Sequence, residues 1–221
     1  LETVTYPCHI HGRGIIMCIY TKQIMFPKEL NSAVEYLNTL AIEVNEDHED
    51  GRVNSIADED TIIDLLIERY GDAVEKPKAR CWWDLKLFGH PTNIKSSNFN
   101  SGDNFSSKLA LLYALTDIPE EEIKANSWKS FQEKLKNHKG ENNRDYYIIV
   151  LSKLDGKVYL QSLKSLRKIN SNGNNLPFQI NWGNNTEPVE RTYLQAYNFL
   201  IECYKESVLK KITSHDGFEE L

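Results

Sequence analysis

The feature that most constrains the fold is an unbroken apolar run, YYIIVLS, at residues 146–152. Its β-branched and aromatic side chains are typical of a β-strand. Because no polar residue alternates with them, neither face of this strand is suited to solvent. We therefore expect it to lie inside a sheet that is covered on both faces, as in α/β folds.

The remaining pattern supplies the elements for such a sheet. Helices are predicted at residues 31–44, 55–71, 105–117 and 188–212, and residues 119–145 are predicted to be helical in part. Strands are predicted at residues 82–88, 91–97, 157–163 and 176–182. The second helix would begin with a Ser55–Asp58 capping box and stop at Gly71. A crossover helix between strand 91–97 and strand 146–152 would make those two strands parallel. The prediction is an α/β fold with a central mixed sheet flanked by helices.

Composition narrows the class of protein. The 221 residues suit a single domain, and no apolar run reaches the roughly 18 residues that a membrane span needs. Four scattered cysteines and an N-terminus unlike a signal peptide lead us to expect a reduced, cytoplasmic protein. The formal net charge of −6 argues against non-specific coating of nucleic acid, although it is compatible with a local basic cleft.

Candidate catalytic groups lie in the segment WWDLKLFGHPTNIKSS, residues 82–97. A buried hairpin has no need for a carboxylate at the start of one strand and a lysine near the end of the next. Asn93 and Lys95 alternate with Ile94, so they project from the same face, close to Asp84 on the neighbouring strand. Oxygen ligands beside an ammonium group suit Mg²⁺ and a water nucleophile.

Glu59 extends this group from the preceding helix. It falls on the same stripe as Ile62, Ile63 and Leu66, where an acid is unusual. In that position it would contribute a further metal ligand or bind a ligand water. The alternative is that Glu59 is a first-turn carboxylate that suits the helix dipole.

The order of these residues resembles the core of the PD-(D/E)xK nucleases and, more narrowly, a type II restriction endonuclease. The resemblance covers about residues 55–152. It implies a restriction-endonuclease-like core in which Asp84, Asn93 and Glu59 hold Mg²⁺, with Mn²⁺ as a substitute. It also implies that Lys95 assists the attacking water. The expected activity is site-specific hydrolysis of double-stranded DNA by a homodimer, with a matching DNA methyltransferase in a prokaryotic cell.

Two features depart from the family pattern. Trp83 stands where Pro is usual, and Asn93 stands where Asp or Glu is usual. A minority of restriction endonucleases carry Asn or Gln at the second position, but the amide removes one negative charge and should weaken cation binding. Residues 84–86, DLK, also fit D-x-K, although no acid on an earlier strand accompanies that register.

The resemblance also divides the chain. Residues 1–221 would be a single nuclease domain with its core at about residues 55–152. Residues 1–50 would form an N-terminal appendage, and residues 153–221 would add C-terminal strands and a helix suited to DNA recognition.

Polar segments near this core are candidate DNA contacts. The loop after strand 91–97 opens onto a helix N-terminus and suits phosphate oxygens, although a polar loop with a cap at Ser106 explains it equally well. Asparagine can read adenine and arginine can read guanine, but asparagine is also common in turns. The candidates are Ser96, Ser97, Asn98, Asn104, Lys108, Asn181, Asn184 and Arg191.

Several alternatives stay open at this point. A hairpin with a solvated Asp and Lys requires no chemistry. The same scaffold also suits a structure-selective repair or junction nuclease, or a non-catalytic module that binds DNA or protein, for which Asn93 is the best argument. A structural zinc site is disfavoured because its spacing matches no common pattern. Its ligands would be Cys8, His9, His11 and Cys18.

Overall fold

The computed structural model describes residues 26–44, 51–79, 81–100, 102–105, 108–125, 127–173 and 176–216. Over these residues the protein is an α/β structure with a five-stranded mixed sheet, a three-stranded sheet and flanking α-helices. The predicted α/β class and central mixed sheet are therefore confirmed. The hypothetical zinc ligands, Ser106 and the first half of the N-terminal appendage lie outside the described residues.

The elements follow the predicted order, with additional short strands. The helices are α1 (Lys28–Thr39), α2 (Gly51–Tyr70), α3 (Lys108–Leu115), α4 (Trp128–Asn137) and α5 (Tyr193–Asp216). The strands are β1 (Val74–Glu75), β2 (Leu85–Leu87), β3 (His90–Ser97), β4 (Asp103–Phe105), β5 (Tyr147–Ser152), β6 (Val158–Ser162), β7 (Asn170–Ser171) and β8 (Phe178–Ile180). Within this described part of the chain, no helix has the length and apolar character needed to cross a membrane.

The central sheet has the strand order β1-β2-β3-β5-β6. Strands β3 and β5 run parallel, as the crossover argument predicts, whereas the other neighbouring pairs are antiparallel. In the parallel pair Asn93 lies opposite Ile148, and Lys95 lies opposite Val150. The candidate catalytic strand is therefore held directly against the most apolar strand of the protein.

Strand β5 is buried on both faces, as its composition predicts. All six of its residues are buried. Ile148 and Val150 join the core cluster beneath α3, α4 and α5, whereas Tyr147, Ile149 and Leu151 join the cluster beneath α1 and α2. The strand thus connects two separate cores, because alternate side chains point to opposite faces.

Helix α1, which lies in the predicted N-terminal appendage, packs on the central sheet. Its buried face, made by Leu30, Ala33, Val34 and Leu37, belongs to the same core cluster as α2 and the sheet. The helix ends at Thr39, and the backbone is extended at Leu40. Residues 28–39 are therefore packed into the same core as α2 and the central sheet.

Helix α2 begins earlier than the capping pattern predicts. It starts at Gly51, so Ser55 and Asp58 lie inside the helix and do not cap it. Glu59 is then beyond the first turn, which rules out the helix-dipole explanation for its position. Gly71, with a φ of 50°, ends the helix as predicted, because glycine adopts this left-handed conformation without strain.

The hairpin between β2 and β3 turns one residue earlier than expected. Phe88 and Gly89 both have positive φ, 53° and 79°, so the turn precedes His90, which already belongs to β3. Leu85 pairs with Thr92 at the open end of this hairpin. Beyond that pair β2 has ended, while β3 continues to Ser97.

The second sheet has the order β4-β8-β7, with both pairs antiparallel. Phe105 belongs to β4 and not, as predicted, to the start of a helix, since α3 begins only at Lys108. Phe105 and Phe178 face each other in this sheet and are both buried in the core beneath α3 and α5. One face of the small sheet is thereby fixed to the body of the protein.

Truncation of Ile149 to alanine tests the two-core role of β5. Ile149 is fully buried, so Ile149→Ala should lower the free energy of unfolding by about 2–5 kcal/mol in urea denaturation. The matched control is Leu154→Ala, because Leu154 is 64% exposed just after the same strand and should change little. Equal losses in the two variants would contradict the assignment of β5 to the core.

Candidate active site

Four predicted side chains meet where the pairing of β2 with β3 stops. Asp84 lies just before β2, and its backbone N–H donates to the Thr92 carbonyl oxygen at 3.0 Å. Asn93 and Lys95 project from β3, and Glu59 reaches them from α2, which packs on β3. The structure thus brings together the groups that the sequence places in two strands and a helix.

The backbone of Ile94 passes beyond the end of β2, so side chains satisfy its polar groups. Its N–H donates to Asp84 Oδ2 at 2.8 Å. Asn93 Nδ2 donates both to the Ile94 carbonyl oxygen at 2.8 Å and to Asp84 Oδ2 at 2.5 Å. One carboxylate oxygen and one carbonyl oxygen therefore converge on a single amide nitrogen.

Lys95 lies on the other side of this group. Its Nζ is 3.1 Å from Glu59 Oε1, and the two side chains are 27% and 23% exposed. Such a half-buried pair keeps the ammonium group at a defined point instead of letting it extend into solvent. The ammonium group is also close enough to Asp84 to stabilise its charged form.

The two carboxylates are held in an unfavourable environment for negative charge. Burial is the main cause that raises the pKa of Glu59, while the charge of Lys95 and its hydrogen bond act in the opposite direction. Burial likewise raises the pKa of Asp84, against the Ile94 N–H and Lys95. Since Asp84 adds to the rise at Glu59, the site has a deficit of positive charge that a cation or a proton would relieve.

Tyr146 is a site residue that the sequence interpretation missed. Its hydroxyl donates to the Trp82 carbonyl oxygen at 2.8 Å and lies 3.3 Å from Asn93 Oδ1. Burial raises the pKa of this hydroxyl far above its ordinary value, so it remains protonated. The signal was available, because Asn93 pairs with Ile148 and Tyr146 lies two residues earlier on the same face.

Asp58 is a second residue that was missed, because it was interpreted as part of a helix cap. It is fully buried, accepts a hydrogen bond from Ser96 Oγ at 2.7 Å, and lies 3.1 Å from Lys153 Nζ. These contacts join α2, β3 and the turn after β5 directly beside Glu59. Asp58 therefore fixes the helix that presents Glu59.

Three predicted DNA contacts form hydrogen bonds within the fold: Ser96, Ser97 and Arg191. Ser96 and Ser97 are 7% and 4% exposed; the first donates to Asp58, and the second accepts from the Phe99 N–H. Arg191 donates to the carbonyl oxygens of Lys164 and Leu166 and lies over the Phe199 ring. None of these groups is presented as a free surface contact.

The other predicted DNA contacts lie at or near the surface. Asn98 is exposed and accepts the Asn100 N–H, and Asn104 is exposed on β4. Lys108 lies with its Nζ 4.7 Å from the centre of the Trp128 ring. These three residues come from one short stretch of the chain, but strand β4 (Asp103–Phe105) interrupts the polar loop that the sequence predicts.

Asn184 lies in an open groove of about 620 Å³, and Asn181 precedes it on a partly buried turn. The groove is lined by Arg167, Lys168, Gly183, Asn184, Thr186 and Glu187. Arg167 is 3.3 Å from Glu187, so one of the basic groups already has an acidic partner.

Metal binding at this centre would need amide or carbonyl oxygens in addition to carboxylates. Among the described residues, no three His, Cys, Asp or Glu side chains form a metal-binding group. The donors available near Asp84 are instead carboxylate, amide and carbonyl oxygens. Cys81 is exposed nearby, and the site geometry gives it no part.

The raised pKa of Glu59 has a consequence for stability. A carboxyl whose pKa is higher in the folded than in the unfolded state costs stability once the pH rises above its ordinary value. Glu59→Gln avoids this cost, so its stability relative to the wild type should increase as the pH rises from about 4 to 7 in EDTA. Urea denaturation across this range measures the difference.

The matched control for this experiment is Glu68→Gln, which alters an exposed acid of the same helix. A stability difference between wild type and Glu59→Gln that stays flat, or shrinks with rising pH, would contradict the described burial of Glu59.

Comparison of the chain with protein-family models, with curated proteins and with solved structures finds no match. The geometry of Glu59, Asp84, Asn93 and Lys95 is therefore the basis for assigning a function.

Proposed function

We propose that the protein is a divalent-metal-dependent endonuclease that hydrolyses double-stranded DNA at a short specific sequence, in the manner of type II restriction endonucleases. The observation that carries this proposal is the convergence of Asp84 Oδ2 and the Ile94 carbonyl oxygen beside a lysine–glutamate pair. A solvated hairpin would not bury two carboxylates at this point. The restriction-endonuclease-like core, in which the catalytic strand pairs in parallel with an apolar strand, is part of the same proposal.

The donor atoms fit a hard cation. Mg²⁺ and Mn²⁺ prefer oxygen ligands, and Asp84, the Ile94 carbonyl, Glu59 and the Asn93 amide oxygen supply four candidates. The two carboxylates also favour a cation because burial raises the pKa of each. When bound, the metal would supply Lewis-acid stabilisation of charge on the scissile phosphate.

Asn93 presents its nitrogen, not its oxygen, to Asp84. Ligation by Asn93 therefore requires the amide group to turn over. Tyr146 suits either orientation, because a hydroxyl can donate to the amide oxygen or accept from the amide nitrogen. We propose that Tyr146 positions the Asn93 amide and is not itself a catalytic residue.

Lys95 is the proposed catalytic residue that assists the nucleophile. Its ammonium group lies 3.1 Å from Glu59, and in the proposed reaction it would hydrogen-bond an attacking water and offset negative charge on phosphorus. Glu59 contributes by fixing Lys95 and by accepting a proton or binding the metal shell. Asp84 contributes by its position at the end of β2, where the Ile94 N–H orients its carboxylate.

The proposal includes a homodimer, because cutting both strands of a symmetric site calls for a two-fold pair of centres. We also propose that the protein acts in a prokaryotic cytoplasm. A matching DNA methyltransferase would protect the host sequence there. Structure-selective cleavage in repair remains the alternative within the same chemistry, and it predicts no discrete fragments from an unbranched plasmid.

One observation favours a second, non-catalytic function. Asn93 Nδ2 satisfies Asp84 and the Ile94 carbonyl without any cation, so the centre is stable as a hydrogen-bonded junction. A protein that binds DNA without cutting it would keep this arrangement permanently. Such a module would leave a plasmid intact at any protein excess.

Plasmid digestion with Mg²⁺ tests the proposed activity. We expect the wild type to produce discrete fragments, and Lys95→Ala and Asp84→Ala each to reduce the rate by at least about 100-fold. The control is Lys157→Ala, since the Lys157 side chain is 67% exposed and should be dispensable. Thermal melts of all variants exclude misfolding as the cause. Equal cleavage by all four proteins would refute the assignment.

Asn93→Asp tests the metal site without DNA. A second carboxylate beside Asp84 should strengthen Mn²⁺ binding by at least about tenfold, because affinity rises with ligand charge. Titration calorimetry with Mn²⁺ measures the change, and Asn198→Asp, on the exposed surface of α5, is the control. Loss of all Mn²⁺ binding in Asn93→Asp would exclude residue 93 as a ligand position.

A further inference from the structure

The outward face of the three-stranded sheet carries a row of amides. Asn104 on β4 lies opposite Gln179 on β8, and Gln179 lies opposite Asn170 on β7. The neighbouring positions Phe105, Phe178 and Ile180 point the other way and are buried. Asn172, just after β7, joins the row, since its Nδ2 donates to Asn104 Oδ1 at 2.6 Å. We call Asn104, Asn170, Asn172 and Gln179 the amide face.

Folding does not account for this row. Asparagine is depleted in β-strands, and an exposed sheet face normally carries β-branched or charged residues. Asn104 and Asn170 are exposed, so they contribute no buried packing. Residues that are unfavourable in their secondary structure and add no buried packing are usually found at functional positions.

The hydrogen-bond chemistry of the row is specific. Gln179 Nε2 donates to the Gly102 carbonyl oxygen at 3.4 Å, which holds the amide plane across the face. Among the described residues, its Oε1 and its second N–H have no other partner. An amide held in this way offers one acceptor and one donor side by side, the pattern that reads adenine N6 and N7 in the major groove.

Gly102 is what allows Gln179 to take this position. A Cβ at residue 102 would lie 2.8 Å from Gln179 Cγ and 2.9 Å from Cδ, too close for either atom to remain. The absence of a side chain at Gly102 therefore leaves the space that the Gln179 side chain occupies. Gln179 lies over Gly102 and does not extend into solvent.

The surroundings suit DNA. None of the outward strand positions in the row carries a carboxylate, and Lys168, two residues before β7, is exposed. Lys210 Nζ donates to the Ser171 carbonyl oxygen, which places a second positive charge beside β7. In a complex with DNA, the lysines would contact phosphate groups while the uncharged amides contact the edges of the bases.

We propose that the amide face reads base edges in the major groove, with a preference for adenine, and sets the sequence at which the protein acts. This inference rests on the proposed nuclease function. Asn104 follows Lys95 by nine residues, a span of at most about 30 Å, or about nine base pairs. The sequence that is read and the bond that is cut therefore lie within about one turn of the duplex.

Selection from a pool of random 20-base-pair duplexes tests the inference. With Ca²⁺ in place of Mg²⁺, the wild type should enrich a short sequence that contains A·T pairs. The double variant Asn104→Ala/Gln179→Ala should lose about tenfold or more of the preference at each adenine position that these side chains read. Gly102→Ala, which displaces Gln179 without removing an amide, should lose part of this preference for adenine. Asn198→Ala, an exposed amide on α5, is the control and should keep the wild-type sequence.

Affinity for an unrelated duplex, and its dependence on salt, should stay the same in every variant, because phosphate contacts are untouched. The inference is wrong if the double variant enriches the same sequence as the wild type, or if the wild type enriches none. It is also wrong if the double variant changes only the oligomeric state in light scattering, which would make the face a contact between copies. Plasmid cleavage, measured separately, decides the proposed function in each of these cases.

Discussion

The parallel pairing of β3 with β5 is the constraint on which the rest of this protein depends. Because β5 is apolar on both faces, it needs a helical layer on each side, and the chain must cross over between the two strands. That register sets Asn93 opposite Ile148 and brings Tyr146 beneath the amide. The apolar packing of β5 therefore fixes the positions of the polar side chains on β3.

The partly buried carboxylates of Glu59 and Asp84 also lower the stability of the protein. Two carboxylates are partly buried around one ammonium group, and burial works against the charge of each. A protein selected for stability alone would replace them with neutral residues. Retaining them makes physical sense where a positively charged ligand arrives to complete the balance, and the Asn93 amide meanwhile limits the repulsion by donating to Asp84.

Most of the central sheet could be predicted from the sequence, because period-two alternation and an apolar strand are local signals. The same signals predicted that Asp84, Asn93, Lys95 and Glu59 lie close together. The predictions that were wrong concern a helix boundary and the burial of polar side chains. The start of α2 at Gly51 was missed because a capping pattern at Ser55 also occurs inside helices. Ser96 and Ser97 were taken for surface contacts because composition does not show which polar groups find buried partners. Such partners, Asp58 among them, come from distant parts of the chain.

The buried pairing of Asp58 with Lys153 and Ser96 has a mechanical meaning for its neighbour Glu59. Adjacent helical residues point about 100° apart, so Asp58 points inward to Lys153 while Glu59 points to Lys95. Rolling or sliding of α2 would strip a fully buried carboxylate of its counter-ion, a motion with a steep energetic barrier. Helix α2 is therefore held in one position against β3, and it presents Glu59 to Lys95 from a fixed backbone.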